Sequence, residues 1–593
     1  MIRSLARSRL DHLSARAVAV FLIAVACTGQ QTTPAGTTPT ATFGIGGLAS
    51  VGVEGHTAVL YNGKISVLDA GNNVVQAIAI RDGKVLAVGT TDQVKNAAGS
   101  GAQLIDLGGR VVIPGLIDGT LHGVRNSSDC FLRDVRLDQV FTREQALSTY
   151  TQKAKGLPTG SWLYTWSGWN PNQLDQPGML TKAELDKVLP DNPVMVQATG
   201  FAGIQVNSRA LNALGITAST TDPGVAKDPK GLPTGQLSGT AAAAARQAMG
   251  AQLRALSIDQ QVECMRAFMR EANRVGLTSW DDPAGNDQFD PQGRSLELLV
   301  GDHGYQAINQ LHRTGEMTTR IVLHFSCFTP DPAFDCVKRS TYNAISLVGD
   351  DWLLIGGMGE ELTTNMPNGL YPMPDYQNAV DYLAVQRWNL EHHATTPPQQ
   401  EQVTSAWERA DAKSSIKDLG WRMLHPGGGP QYPTAEILSR LKALNAGVVL
   451  TDSGGQGQQA AQTPPYKRAY ESGVRMCLGT DALNVAPYPP MWNLWYTISG
   501  HSPDPAVPGV PAEQRLTREQ ALRSATSNCG WFMHMENRVG TLEVGRYADL
   551  AVLSKDYWNV SVDDIRSIVS VLTIAGGKVG WASDDFASLA PKN

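Results

Sequence analysis

No Gly-x-Ser-x-Gly elbow occurs anywhere in the 593 residues, which argues against a serine hydrolase of the α/β type. No Gly-x-x-x-x-Gly-Lys-[Ser/Thr] stretch occurs either, and Gly44-x-Gly46 has no strand before it, so a phosphate-cradling loop is disfavoured. None of the seven cysteines falls in a Cys-x-x-Cys pair, which argues against a cysteine-rich zinc module or a dithiol redox motif. Long basic runs are also missing. The formal net charge of -6 is spread along the chain, leaving no footprint for nucleic acid and favouring a small substrate. The apolar run Ala17 to Ala26 is too short to span a bilayer, and there is no internal repeat.

What is present is ordinary for a globular chain: 42% hydrophobic and 18% charged residues. The length exceeds what one compact core supports, so two domains or a large barrel with additions is expected. Arg3, Arg7, Arg9 and Arg16 precede the short apolar run, the pattern of a signal peptide over residues 1–26. Export is therefore the expectation, with the mature chain in the periplasm or anchored at a bacterial membrane. The run ends Ala24-Val25-Ala26-Cys27, which resembles a lipoprotein cleavage box with Ala24 where Leu is usual. A lipid anchor at Cys27 is one reading; an ordinary cleaved leader is the other. Residues 27–56 form a flexible tether, rich in Thr, Pro, Gly and Gln where it begins. Six cysteines remain after Cys27, an even number in a compartment that tolerates disulfides, with Cys327 and Cys336 the foremost pair.

From Thr57 to Ile113 the texture is short and β-like. Ala58–Tyr61, Lys64–Leu68, Val74–Ile80 and Lys84–Val88 read as strands, the last two joined by an Asp82-Gly83 hairpin turn. Beyond Gly115 strands alternate with amphipathic helices for about 400 residues, the pattern of βα units on a parallel sheet. Expected strands are Val194–Ala198, Leu277–Trp280, Ile321–Phe325, Trp352–Ile355, Trp388–His392, Trp421–Leu424, Gly447–Leu450 and Val474–Leu478. Ile258–Arg274, Ala435–Leu444 and Arg518–Cys529 read as helices. From Gly540 to Val579 the short-strand texture returns. The fold class that accommodates this order is α/β: a (β/α)8 TIM-like barrel, residues 114–535, inserted into a small β-sandwich made from residues 57–113 and 536–593.

Barrel active sites gather at the C-terminal ends of strands, so polar residues there are the natural candidates. Five stand out: His122, Glu360, His393, His425 and Asp481. Each alone is weak, and recurrence at successive strand ends is what raises them together. Glu361 and His392 are immediate neighbours that compete with Glu360 and His393. Two aromatic groups, Tyr488/Trp492/Trp495/Tyr496 and Trp162/Trp166/Trp169, either line an apolar pocket or pack against barrel helices.

Three stretches carry a resemblance: Arg81 to Gly89 (RDGKVLAVG), Ile105 to Asp118 (IDLGGRVVIPGLID) and Val539 to Leu553 (VGTLEVGRYADLAVL). Together they resemble the amidohydrolase superfamily, in its family 3 branch with a split β-sandwich and relatives acting on N-acyl or N-formyl compounds. The resemblance implies a metal-dependent hydrolase of small amide-type substrates. It also implies a His-x-His pair after the first strand, a bridging Lys, Glu or Cys, two later His and a final Asp around one or two divalent metals.

Here the first motif reads Thr120-Leu121-His122, so one imidazole of the pair is replaced by Thr. The metal position served by His122 and Asp481 is then weakened, while Glu360, His393 and His425 keep two imidazoles and a carboxylate with room for water. One zinc at that second position is expected. Asp481 suits a proton shuttle between the attacking water and the departing amine, with His122 orienting it. Ala202 stands where relatives often carry His, and Leu424 where an acidic residue is common. Thr120 and Ala202 motivate the alternative of a surface binding protein that keeps the scaffold without catalysis.

Overall fold

The computed structural model describes residues 50–591 apart from 53–54, 125–130, 167, 199–202, 286–304, 328–332, 343, 364–368, 452–462, 484–485 and 503–507. The leader, Cys27, nearly all of the tether, Cys130 and Ala202 lie outside the described residues. Among those described, no helix is long and apolar enough to cross a membrane.

The chain opens with β1 (Thr57–Tyr61), β2 (Lys64–Ser66), β3 (Val74–Val75), β4 (Ala77–Arg81), β5 (Lys84–Gly89), β6 (Gln103–Asp106) and β7 (Val111–Pro114). The Asp82-Gly83 turn joins β4 to β5 with both central residues at positive φ, 52° and 71°, the conformation that matches a tight hairpin to strand twist. Strand alternation decides what each side chain touches. On β1, Ala58 and Leu60 enter the core between two sheets, while Val59 points the other way, beneath the helix Thr91–Ala98.

After β7 come β8 (Leu116–Asp118), β9 (Leu163–Trp166), β10 (Val194–Gln197), β11 (Ile204–Val206), β12 (Val225–Lys227) and β13 (Pro233–Leu237). They are followed by β14 (Leu277–Gly285), β15 (Arg320–Phe325), β16 (Val348–Gly349), β17 (Leu353–Met358), β18 (Asn389–His393), β19 (Arg422–Leu424), β20 (Gly447–Thr451) and β21 (Arg475–Gly479). The chain closes with β22 (Leu550–Leu553), β23 (Ser570–Ala575) and β24 (Lys578–Ala582).

Strands β8, β14, β15, β17, β18, β19, β20 and β21 are consecutive parallel neighbours. The ring is completed by backbone bonds between its first and last members: Gly119 N–H to Leu478 O (3.0 Å), Asp481 N–H to Thr120 O (2.8 Å) and His122 N–H to Ala482 O (2.7 Å). The result is the expected eight-stranded barrel. One strand assignment fails: Val194–Gln197 is not a barrel stave but pairs with β9 and β11 in a separate five-stranded sheet, β12-β13-β11-β10-β9. An apolar run carries no label for the sheet it joins, which is why the sequence pattern missed this insertion. The helix Ile258–Arg274 matches its expected span, whereas Arg518 to Ser524 ends sooner than the pattern suggested.

Two sheets built from both ends of the chain, β5-β4-β1-β6 and β24-β23-β22-β7-β2-β3, enclose a common core. The second also faces the barrel: Val112, Leu550 and Val552 enter the sandwich core, while Val111, Ile113, Ala551 and Leu553 enter the barrel's outer core. Burial on both faces accounts for the unbroken apolar runs in β7 and β22. Disulfides join Cys327 to Cys336, as expected, and Cys477 to Cys529.

Both aromatic groups are buried in packed cores, with Tyr488 also lining a cleft beside Arg136 and Arg274. Trp492, Trp495 and Tyr496, on the helix Pro490–Ser499, are buried in the barrel's outer core together with Tyr488. Trp162 and Trp166 are buried under the inserted sheet, and Trp169 in the core beside it, which corrects the pocket reading for that group.

Candidate metal centre

The five residues chosen from strand ends lie together. His393 ends β18; Glu360 follows β17, His425 follows β19, and His122 and Asp481 follow the two strands that close the ring. Glu360 Oε2 lies 3.4 Å from His393 Nδ1 and 3.2 Å from His425 Nε2, and its other oxygen is 3.8 Å from His122 Nε2. His122 Nε2 is in turn 3.0 Å from Asp481 Oδ1, and His425 Nδ1 is 3.7 Å from Asp481 Oδ2. His425 and Asp481 both have left-handed backbone, φ 54° and 56°, sparsely populated for non-glycine residues and found at sites the surrounding fold over-determines. His425 N–H donates to Val449 O (3.1 Å), and Asp481 is held across the seam by Thr120.

Glu360, His393 and His425 form a group able to hold a metal ion, with one ligand atom from each within 4.8 Å of the others. In a tetrahedral zinc site with bonds of about 2.0–2.1 Å, neighbouring ligand atoms stand about 3.4 Å apart. The Glu360 separations fit that spacing. Burial opposes charge on Glu360, yet the imidazoles of His393 and His425 and the charge of His122 outweigh it and hold the carboxyl well below its usual range. Burial likewise opposes charge on His393, but the hydrogen bond to Glu360 and nearby carboxylates raise it to about 9.

His392 has a different task. Its Nδ1–H donates to the carbonyl of Glu360 (2.6 Å), and its ring lies 4.6 Å from that of Tyr371 and 5.1 Å from that of Tyr376. Burial drives its pKa down to about 3, so the ring is neutral, with its proton on the nitrogen that meets the carbonyl. His392 therefore braces the loop that carries Glu360. The Glu361 carboxylate lies beside Tyr371 and adds to the charges that raise His393, while its carbonyl receives the Cys327 N–H (2.8 Å).

A second charged cluster, absent from the strand-end reading, fills the barrel interior. His324 Nδ1 lies 3.0 Å from both Asp281 and Glu391, and Arg422 pairs with the remaining oxygens of the same two carboxylates. All four are fully buried. Burial opposes charge on His324, but Glu391 and Asp281 raise it to about 9. Two cations and two anions balance; Asp281, His324 and Glu391 also lie close enough together to hold a metal ion, with Arg422 on the carboxylate oxygens turned away from His324. The signal was a charged residue inside each apolar strand: Trp280-Asp281, Leu323-His324, Leu390-Glu391 and Trp421-Arg422.

A closed parallel barrel with a carboxylate and two imidazoles converging at its strand ends defines a metal-dependent hydrolase scaffold. The chain belongs to the amidohydrolase family, whose model matches residues 103–580, and it is a hydrolase acting on carbon–nitrogen bonds. It is 24% identical to N-substituted formamide deformylase of Arthrobacter pascens over 548 residues, covering 88% of this chain and 97% of that protein. It is 33% identical to the putative amidohydrolase YtcJ of Bacillus subtilis over 184 residues, 30% of this chain and 34% of that one. An uncharacterized metal-dependent hydrolase from Pyrococcus furiosus shares the fold, with a TM-score of 0.57, 18% identity, and coverage of 84% of this chain and 99% of that one.

Proposed function

We propose that the chain cleaves a non-peptide C–N bond in a small amide-type molecule, with N-substituted formamides the first class to try. The observation that carries the reading is the His122–Asp481 hydrogen bond set beside the Glu360/His393/His425 group. The near full-length likeness to a formamide deformylase supports the substrate class.

Glu360, His393 and His425 would hold one divalent metal, zinc by donor type. Bound there, it supplies Lewis acidity, lowering the pKa of water to about 7 and polarising a carbonyl. Asp481 takes the proton of the attacking water and delivers it to the departing amine, which is otherwise a poor leaving group. His122 holds the Asp481 carboxylate in line for both transfers. Thr120 supplies no imidazole, which supports a single metal in place of two. The reading includes export, with or without a lipid at Cys27; disulfides such as Cys327–Cys336 and Cys477–Cys529 suit an oxidising compartment.

Metal analysis of the purified full chain, followed by a hydrolysis screen over N-substituted formamides, N-acyl amino acids, cyclic ureides and imides, tests this. About one metal per chain and turnover of one class is expected. Far less than one metal per chain, with no recovery on adding zinc, favours the binding-protein alternative instead.

A further inference from the structure

One buried carboxylate outside the proposed chemistry grips both strands that carry the His122–Asp481 pair. Asp118 ends β8 and is 2% exposed. Its Oδ1 accepts the backbone N–H of Thr120 (3.0 Å) and of Thr480 (3.0 Å), and its Oδ2 accepts the Thr480 hydroxyl (2.6 Å). Thr120 stands two residues before His122, and Thr480 immediately precedes Asp481. The seam is tight at this level: a Cβ on Gly479 would come within 2.4 Å of the Thr120 methyl and 2.9 Å of its nitrogen. Ala482 N–H donates to the Thr480 hydroxyl (3.2 Å), so the same hydroxyl links Asp118 to the backbone beyond Asp481.

We propose that Asp118 is a positioning residue that fixes the separation of His122 and Asp481 by clamping the first barrel strand to the last. The inference rests on the proposed shuttle role of Asp481. Proton transfer needs the two groups within hydrogen-bond reach, and displacement of about 1 Å can cost about 100-fold in rate. The clamp acts through backbone and leaves the metal-ligating side chains alone. A loss confined to Asp118 should therefore appear in kcat and not in metal content.

Asp118→Ala removes all three bonds, Thr480→Val only the hydroxyl arm, and Asp118→Asn keeps one oxygen for the two amides. Each variant of the full chain would be loaded with zinc for kinetics, with Co2+ for its absorption spectrum, and crystallised. Asp118→Ala is expected to keep the metal content and cobalt spectrum of wild type, to open the 3.0 Å His122–Asp481 contact, and to lose about 100-fold in kcat with KM within threefold. Asp118→Asn should recover most of that loss, and Thr480→Val should lose about tenfold. An unchanged His122–Asp481 separation in Asp118→Ala overturns the clamp. If that variant does not fold, an unchanged kcat or separation in Thr480→Val does so. Should wild type hydrolyse no amide, the functional reading fails in that assay, and the crystallographic separation still decides the clamp.

Discussion

His122 Nε2 lies 3.0 Å from Asp481 Oδ1 although 359 residues separate them in the chain. The pairing exists because β8 and β21, the first and last staves of the barrel, are neighbours. Strand order thus makes a two-residue unit at the mouth, the pair that the proposed proton shuttle needs.

Asp481→Asn keeps the shape of that unit and removes its base. The expected outcome is a loss of about 100- to 10,000-fold in kcat with metal content unchanged. Steady-state kinetics beside elemental analysis checks it; activity within threefold of wild type would end the shuttle role.

Thr120→His restores the imidazole missing from the first motif. Elemental analysis should then find the metal content rising from about one toward two per chain, since His122, Asp481 and the second oxygen of Glu360 already face that position. No increase at saturating zinc would show that more than the missing ligand empties it.

His392→Phe preserves a ring against Tyr371 and Tyr376 while deleting the N–H that meets the Glu360 carbonyl. Groups that orient a ligand without touching metal typically contribute about 10- to 100-fold in affinity. Competition against a chelator should therefore show zinc bound at least about tenfold more weakly.

The buried His324 cluster predicts an alkaline loss of stability. With its folded pKa raised to about 9, the contribution of His324 is fully present below its ordinary value of 6.5 and disappears as pH rises through 9. The size is about 3 kcal/mol, on the order of 1.4 kcal/mol per pKa unit. Denaturant unfolding of the metal-free chain from pH 6 to 10 should show this decline. His324→Asn should be less stable at pH 6 and lack that alkaline limb. Equal slopes for the two chains would mean that the imidazole is not charged in the fold.

Much of the barrel could be read directly, because inward and outward residues alternate along short strands with helices between them. Leu277, Ile321, Leu353, Leu390, Met423, Val448 and Met476 all sit in expected staves. The hairpin at Asp82-Gly83 was equally plain, since only a few residue types accept that backbone. Val194–Gln197 was placed in the wrong sheet because strand pairing is a long-range property with no local mark. Sequence leaves His392 competing with His393, whereas geometry separates them by what each ring meets. Asp118, Thr480 and the Asp281/His324/Glu391/Arg422 cluster stayed hidden for a related reason. A lone charged residue in an apolar run shows its partners only once distant strands are side by side.

The split sandwich has a consequence for synthesis. β7 pairs on one side with β2, made shortly before it, and on the other with β22, which leaves the ribosome only after the whole barrel. Until then Val112 and Ile113 border an open sheet edge, and open apolar edges recruit other chains. A nascent chain halted before Leu550 should therefore be the most aggregation-prone length of this protein, and a C-terminal truncation there a poor choice for expression.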